Sequence, residues 1–254
     1  RVDDPPQPIS SAQPAGASSA DIPSSARRSA DDQIKITPTA AQSVQLERYE
    51  TADFSITIPK GWSVITGGIN MYHTIRVTDP NEPLNQLFVL LKADVLLHSQ
   101  AGKNAWQALY NMGSAQAELF THAAVLENPS TEGFFQIFPQ YVDFAMAVES
   151  TYAGYAFPQL NNFTVTERFA SVSNMQSAAL GDELLRATFT DGTGEGEGLF
   201  PASVVDFGSY AISNGQVVNY QLQTVDGGYY MAYNVIALTA AKDTLIEWEP
   251  ILTQ

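Results

Sequence analysis

Apolar and polar positions along this chain alternate in runs of strand length, interrupted by a few stretches with the wider spacing of helices. The clearest run is residues 54–62, Phe-Ser-Ile-Thr-Ile-Pro-Lys-Gly-Trp. Phe54, Ile56 and Ile58 fall on one face of an extended chain, and Ser55 and Thr57 on the other, which marks a half-buried strand. Pro59 and Gly61 close the strand, and Trp62 leads into a second short run, Val64-Ile65. The same alternation predicts strands at 34–37, 44–49, 71–77 and 163–169. Residues 87–91, Leu-Phe-Val-Leu-Leu, are apolar without a break, which predicts a central strand covered on both faces.

Helical spacing first appears at Trp106, Leu109, Tyr110 and Met112, predicting a helix over 101–112 that stops at Gly113, with a short second helix at 115–120. Ser130 or Thr131 caps a further helix that Pro139 interrupts and that resumes to Met146. The second half returns to strands. Runs at 183–189 and 199–207 bracket the glycine-rich acidic stretch 191–198, a hairpin with a long acidic loop. A second hairpin is expected where 216–223 and 229–238 flank Asp226-Gly227-Gly228. Residues 242–252 carry a last helical stripe, Leu245, Ile246, Trp248 and Leu252, with Pro250 inside it.

The order of strands, helices, strands and a final helix predicts an α+β domain: a mostly antiparallel, twisted sheet with helices packed on it. The domain spans 33–254, with a helical elaboration near 100–146. Residues 1–32 are rich in Pro, Ser, Ala, Gln and Asp and nearly free of packing side chains, so they are expected to form a flexible tether. The chain starts at Arg1 rather than Met, so removal of a leader is expected.

Composition narrows the partners. Of 254 residues, 27 are acidic and 12 basic, a formal net charge of -15, which repels a phosphate backbone and argues against nucleic acid. A basic protein, a cation or a neutral glycan stays open. The absence of cysteine excludes disulfides, thiolate metal sites and cysteine nucleophiles. No apolar run approaches the length of a membrane-spanning helix, so no transmembrane segment is expected.

Two features together carry a resemblance. A strand ending in Pro59-Lys60-Gly61-Trp62 opens the domain, and the long run Tyr229 to Leu238 feeds a tryptophan-containing helix at its end. This resembles the Mog1/PsbP-like fold, as found in the oxygen-evolving-complex protein and in bacterial secreted or lipid-anchored proteins of unassigned function. The resemblance covers residues 45–254, with 94–162 as a helical insertion. It implies an extracytoplasmic, non-catalytic binding or scaffolding role and carries over no catalytic residue.

The search for chemistry agrees. The chain lacks a phosphate loop, a Gly-x-Ser-x-Gly elbow and a His-Glu-x-x-His motif. His73, His98 and His122 have no ligand spacing. No cofactor is expected. The aromatic series Phe134, Phe138 and Tyr141 has core spacing. Tyr152, Tyr155 and Phe157 lie in a Gly/Pro-containing connection and are candidate ligand contacts for a sugar or peptide. Asp191, Glu195 and Glu197 place oxygens along a glycine-rich loop, a candidate calcium site set against a solvated hairpin tip. Asp143 with Glu149, or Asp206 with Glu183, are the carboxylate pairs a glycosidase could use. The expected function is a non-catalytic extracytoplasmic binding or accessory domain, tethered to the cell surface, with a protein or glycan partner. The alternatives are an assembly subunit of a surface complex or filament, and a glycan or peptide hydrolase.

Overall fold

A computed structural model describes residues 27–28, 44–171 and 173–252. The strand expected at 34–37 and nearly all of the expected tether lie outside the described residues. The strands are β1 (Arg27–Arg28), β2 (Leu46–Glu50), β3 (Ser55–Pro59), β4 (Ser63–Gly67), β5 (Thr74–Thr78) and β6 (Gln86–Leu97). Four helices follow: α1 (Gln100–Asn111), α2 (Glu118–His122), α3 (Thr131–Gln136) and α4 (Phe138–Val148). Then come β7 (Asn161–Ala170), β8 (Ala179–Thr190), β9 (Glu195–Gly208), β10 (Ala211–Val218), β11 (Gln221–Asp226) and β12 (Tyr229–Ala241), and last α5 (Leu245–Leu252).

The described residues form an eight-stranded sheet in the order β1-β7-β8-β9-β12-β6-β5-β4. Two meanders, β4-β5-β6 and β7-β8-β9, flank β12. Every pair is antiparallel except β1 with β7. The α+β class with a mostly antiparallel sheet is therefore what the chain adopts. Strands β2 and β3 form a separate ribbon, as do β10 and β11.

The connection from β6 to β7 carries α1 to α4 across the strands between them, so these helices cover one face. Alternation along β9 divides the two faces. Phe200 points into the helix-side core with Phe134, Phe135, Phe138, Phe88 and Leu90, all fully buried. Its neighbour Leu199 packs on the opposite side with Ala240 and Leu245 of α5. Trp248 of α5 meets Trp62 at 5.3 Å between ring centroids, so the opening strand and the closing helix touch through their tryptophans.

Three expectations change. The run at 87–91 is not covered on both faces: Phe88 and Leu90 are buried, but Leu91 is 49 % exposed, because α5 reaches only part of the second face. The acidic stretch is not a long loop. Strand pairing of Phe189 with Gly196 and Thr188 with Glu197 draws Glu195 and Glu197 into β9, since a glycine at 196 lets the Phe189 ring lie against the backbone. The second hairpin turns at Asn219-Tyr220, not at Asp226-Gly-Gly, and β12 pairs with β9 and β6 rather than with β11.

The cap of α3 is Ser130, whose Oγ accepts the Gly133 amide at 3.0 Å. Thr131 is fully buried and differently employed: its hydroxyl donates to Ala202 O at 2.9 Å and accepts the Glu183 amide at 3.1 Å, pinning the helix to β8 and β9. Pro139 begins α4, where a missing N–H costs nothing. Replacing Ser130 with alanine is expected to lower unfolding stability by about 1 kcal/mol, seen as an earlier urea midpoint at unchanged slope.

Candidate functional site

Strand β6 does not pair evenly with β12. Leu96 faces Tyr230 and Ala93 faces Ala232, so Asp94 and Val95 together oppose Met231 in a bulge. Val95 holds φ 56, a conformation that β-branched residues rarely take and that costs of order 1–3 kcal/mol. Bulges re-aim side chains, and this one lies where Asp94 meets Tyr72 of the preceding 3-10 turn. Tyr72 Oη donates to Asp94 Oδ2 at 2.7 Å, and Lys92 Nζ reaches the same oxygen at 2.9 Å. The Lys92 ammonium also lies 5.2 Å from the centre of the Tyr72 ring, a cation–π contact. Tyr152 Oη donates to the Tyr72 carbonyl at 2.5 Å and fixes the turn from the other side. Asp94 Oδ1 is buried with no hydrogen-bond partner among the described residues.

These groups wall a cavity of about 190 Å³ between the bulge and α4. Tyr72, Asp94, Tyr141, Phe144 and Tyr152 supply most of its chemistry, and Val148 and Glu149 border it. A wider groove of about 600 Å³ runs beside the β2–β3 ribbon, lined mainly by Phe54, Ile69, Ile75, Val89 and Leu91, with Asp53, Asn70 and His73 its polar members. The smaller cavity is the better candidate because several polar groups converge on it, which marks a binding site more than volume does.

Hydrogen bonding and burial keep the tyrosines of the cavity protonated. The bond to Asp94 pushes the Tyr72 phenol up, with burial adding to it. Burial pushes Tyr141 and Tyr152 up more strongly. Burial works against the Lys92 ammonium, but Asp94 more than compensates and raises its pKa. Backbone donation from Thr151 lowers Glu149. At neutral pH the cavity therefore presents neutral phenols, with no poised base among its tyrosines.

The predicted ligand contacts divide. Tyr152, Tyr155 and Phe157 are all buried, not displayed on a loop, because the connection after α4 folds its rings against Phe88 and one another. Of the three, Tyr152 alone lines the cavity. Among the described residues Tyr155 keeps a buried hydroxyl without a hydrogen-bond partner; nearby Thr74 donates to Gly67 O at 3.1 Å. Burial pushes the Tyr155 phenol up to about 12. A raised folded-state pKa gives stability that is fully present below the unfolded value near 10 and lost as pH rises through the folded one. The urea midpoint is thus expected to fall between pH 10 and about 12, and Tyr155→Phe to lessen that fall while leaving neutral-pH stability equal or higher.

The predicted calcium ligands do not converge. Asp191 Oδ1 accepts from Thr193 N at 2.6 Å and Gly194 N at 3.0 Å, Glu195 pairs with Lys242 at 2.5 Å, and Glu197 Oε1 accepts the Leu245 amide at 3.2 Å. These separate partners give the three carboxylates different tasks, and no cluster of three or more His, Cys, Asp or Glu among the described residues is arranged to hold a metal ion. Of the candidate hydrolase pairs, Glu183 is tied to Arg168 at 3.1 Å and Asp206 faces His98, while of Asp143 and Glu149 only the latter borders the cavity. His98 Nδ1 meets Asp226 Oδ2 at 2.8 Å, and its Nε2 lies 3.2 Å from Asp206 Oδ1, so both ring nitrogens face carboxylates rather than a hydroxyl nucleophile.

Sequence reasoning missed Tyr72, Lys92, Asp94 and Tyr141. A signal was present: Lys92 and Asp94 are charges two residues apart at the end of an apolar strand run, hence neighbours on one face. No helix among the described residues is long and apolar enough to cross a membrane. No protein-family model matches the chain, and a search of curated proteins returns no match.

Proposed function

We propose that this chain is a non-catalytic, extracytoplasmic binding domain whose tyrosine-walled cavity takes the ammonium end of a lysine side chain from a basic partner protein. The observation that carries the reading is Asp94: it lines the cavity, one of its oxygens is already shared by Tyr72 and Lys92, and the other is buried without a hydrogen-bond partner among the described residues. An unpaired buried acceptor costs roughly 1–3 kcal/mol, which a charged donor arriving in the cavity offsets. Lys92 supplies an internal precedent, an ammonium held by this carboxylate and this ring. Counting Lys92 as +1 and Asp94 and Glu149 as -1 each leaves a local charge of -1 for an incoming cation to neutralise.

Size and field point the same way. A cavity of about 190 Å³ is below the ~300–1,000 Å³ of drug-sized ligand sites and suits the tip of one side chain. The formal charge of -15 draws a basic partner toward the surface and speeds encounter. The Mog1/PsbP-like resemblance, with its non-catalytic and exported members, supports both the accessory role and the extracytoplasmic setting, as does the Ser/Ala/Pro-rich stretch before residue 33.

Calorimetry with a lysine-rich peptide and its Nε-acetylated twin tests the reading. Acetylation keeps the chain length and removes the charge. Saturable binding of the unmodified peptide alone is expected; equal affinity for the two would contradict it.

A further inference from the structure

The β10–β11 ribbon has a fixed base and a bare tip. At its base, Asp226 accepts from Tyr210 N at 3.1 Å and Gly228 N at 2.8 Å, in addition to its contact with His98. Trp106 of α1 donates to Gly227 O at 2.9 Å, and Gly227 N bonds Tyr210 O at 2.7 Å. Beyond this anchorage Val217, Leu222 and Tyr220 stand 62 %, 63 % and 102 % exposed. Residues 207–225 contain no charged side chain, on a chain whose net charge is -15.

The two long edges of the ribbon differ. The register of β10 breaks between Ser213 and Val217, around Gly215 at φ 80, and side chains of Ser213 and Asn214 occupy the amides of Gly215 and Gln216. Such bulging blunts an edge. Strand β11 is unbroken and, among the described residues, pairs with β10 alone. Between Gln221 and Val225 its outer edge carries none of the usual guards: no lysine, no proline, no charge.

We infer that the β11 edge, Gln221 to Val225, is a self-association site on which a second copy of this chain adds its own β11, antiparallel, about a two-fold axis. Such an axis through Gln223 sets Gln223 against Gln223, Leu222 against Thr224 and Gln221 against Val225, an uncharged and self-complementary ladder. Charge decides where two copies can meet. Two bodies of charge -15 repel wherever their acidic surfaces face each other, whereas the uncharged stretch 207–225 lets two copies join without setting like charges directly opposite. The inference stands apart from the lysine-binding cavity, which lies at the β6 bulge and shares no residue with the ribbon.

Sedimentation equilibrium of the chain over a hundredfold range of concentration tests it. A monomer–dimer equilibrium is expected. Gln223→Lys places like charges opposite each other and raises the dissociation constant at least about tenfold, and Gln223→Glu does the same. An equimolar mixture of the two variants is expected to restore the dimer. The residue is exposed, so circular dichroism should show both variants folded. A wild-type chain that stays monomeric throughout overturns the inference, and so does a dimer that neither variant weakens.

Discussion

Replacing Asp94 with asparagine is expected to weaken binding of a lysine-bearing peptide roughly ten- to hundredfold, the value of a charge-assisted hydrogen bond in a partly enclosed site. Asparagine keeps the shape of the side chain and one acceptor oxygen, so Tyr72 retains a partner. What disappears is the negative charge at the wall of the cavity. Two comparisons isolate that charge. Tyr72→Phe removes one hydrogen bond to Asp94 and leaves the carboxylate, so a smaller loss is expected. Glu149→Gln removes a charge that the backbone of Thr151 already holds at the rim, and a loss of only a few fold is expected. Thermal unfolding of each variant separates a lost site from a lost fold. An Asp94→Asn chain that folds and binds with unchanged affinity would remove the cavity from the account.

Replacing Phe135 with alanine is expected to lower the free energy of unfolding by about 3–5 kcal/mol, a large part of the ~5–15 kcal/mol that holds a domain together. Its ring is fully buried and joins three parts of the molecule. It meets Phe134 of the same helix at 5.4 Å, Phe163 of β7 at 5.4 Å and Phe200 of β9 at 5.2 Å. Alanine leaves a void where close-packed rings from α3 and the sheet cannot all move inward at once. Phe135→Leu retains most of the volume and is expected to cost roughly 1–1.5 kcal/mol. Urea unfolding followed by tryptophan fluorescence measures both; a loss under about 1 kcal/mol for the alanine variant would mean the core closes over the gap.

Much of the framework was legible because it is built from period and length. The alternation Phe54, Ile56, Ile58 marks β3, and the stripe of Trp106, Leu109 and Tyr110 marks α1 within a residue of its ends. Trp62, which ends the opening motif, meets Trp248 of the closing helix. The second hairpin misled because its strongest turn signal serves another purpose. A side chain at Gly228 would come within 2.1 Å of the Gly208 carbonyl, so glycine is needed there for close passage of two segments. The true tip, Asn219-Tyr220, carries one weak turn residue.

The cavity was hidden for a different reason. Its polar walls come from residues 72, 94, 141 and 152, brought together by the crossing of α1 to α4 over the sheet, and no local spacing records that. The bulge that aims Asp94 was equally silent, since Asp94-Val95 sits in a strand pattern until β12 is paired beside it. Tyr152 entered the sequence reading as an exposed loop aromatic and reached the site as a buried one.

Carbon-13 labelling of the eleven tyrosine rings gives the most direct measurement of what the cavity holds. With the resonances assigned by single Tyr→Phe variants, the lysine-rich peptide is titrated against the intact chain and compared with its acetylated twin. The account predicts that the rings of Tyr72, Tyr141 and Tyr152 shift together and saturate with one affinity, and that the acetylated peptide moves none of them. Shifts confined to tyrosines outside the cavity, such as Tyr210 or Tyr220 on the ribbon, or no shift at saturating peptide, would contradict it.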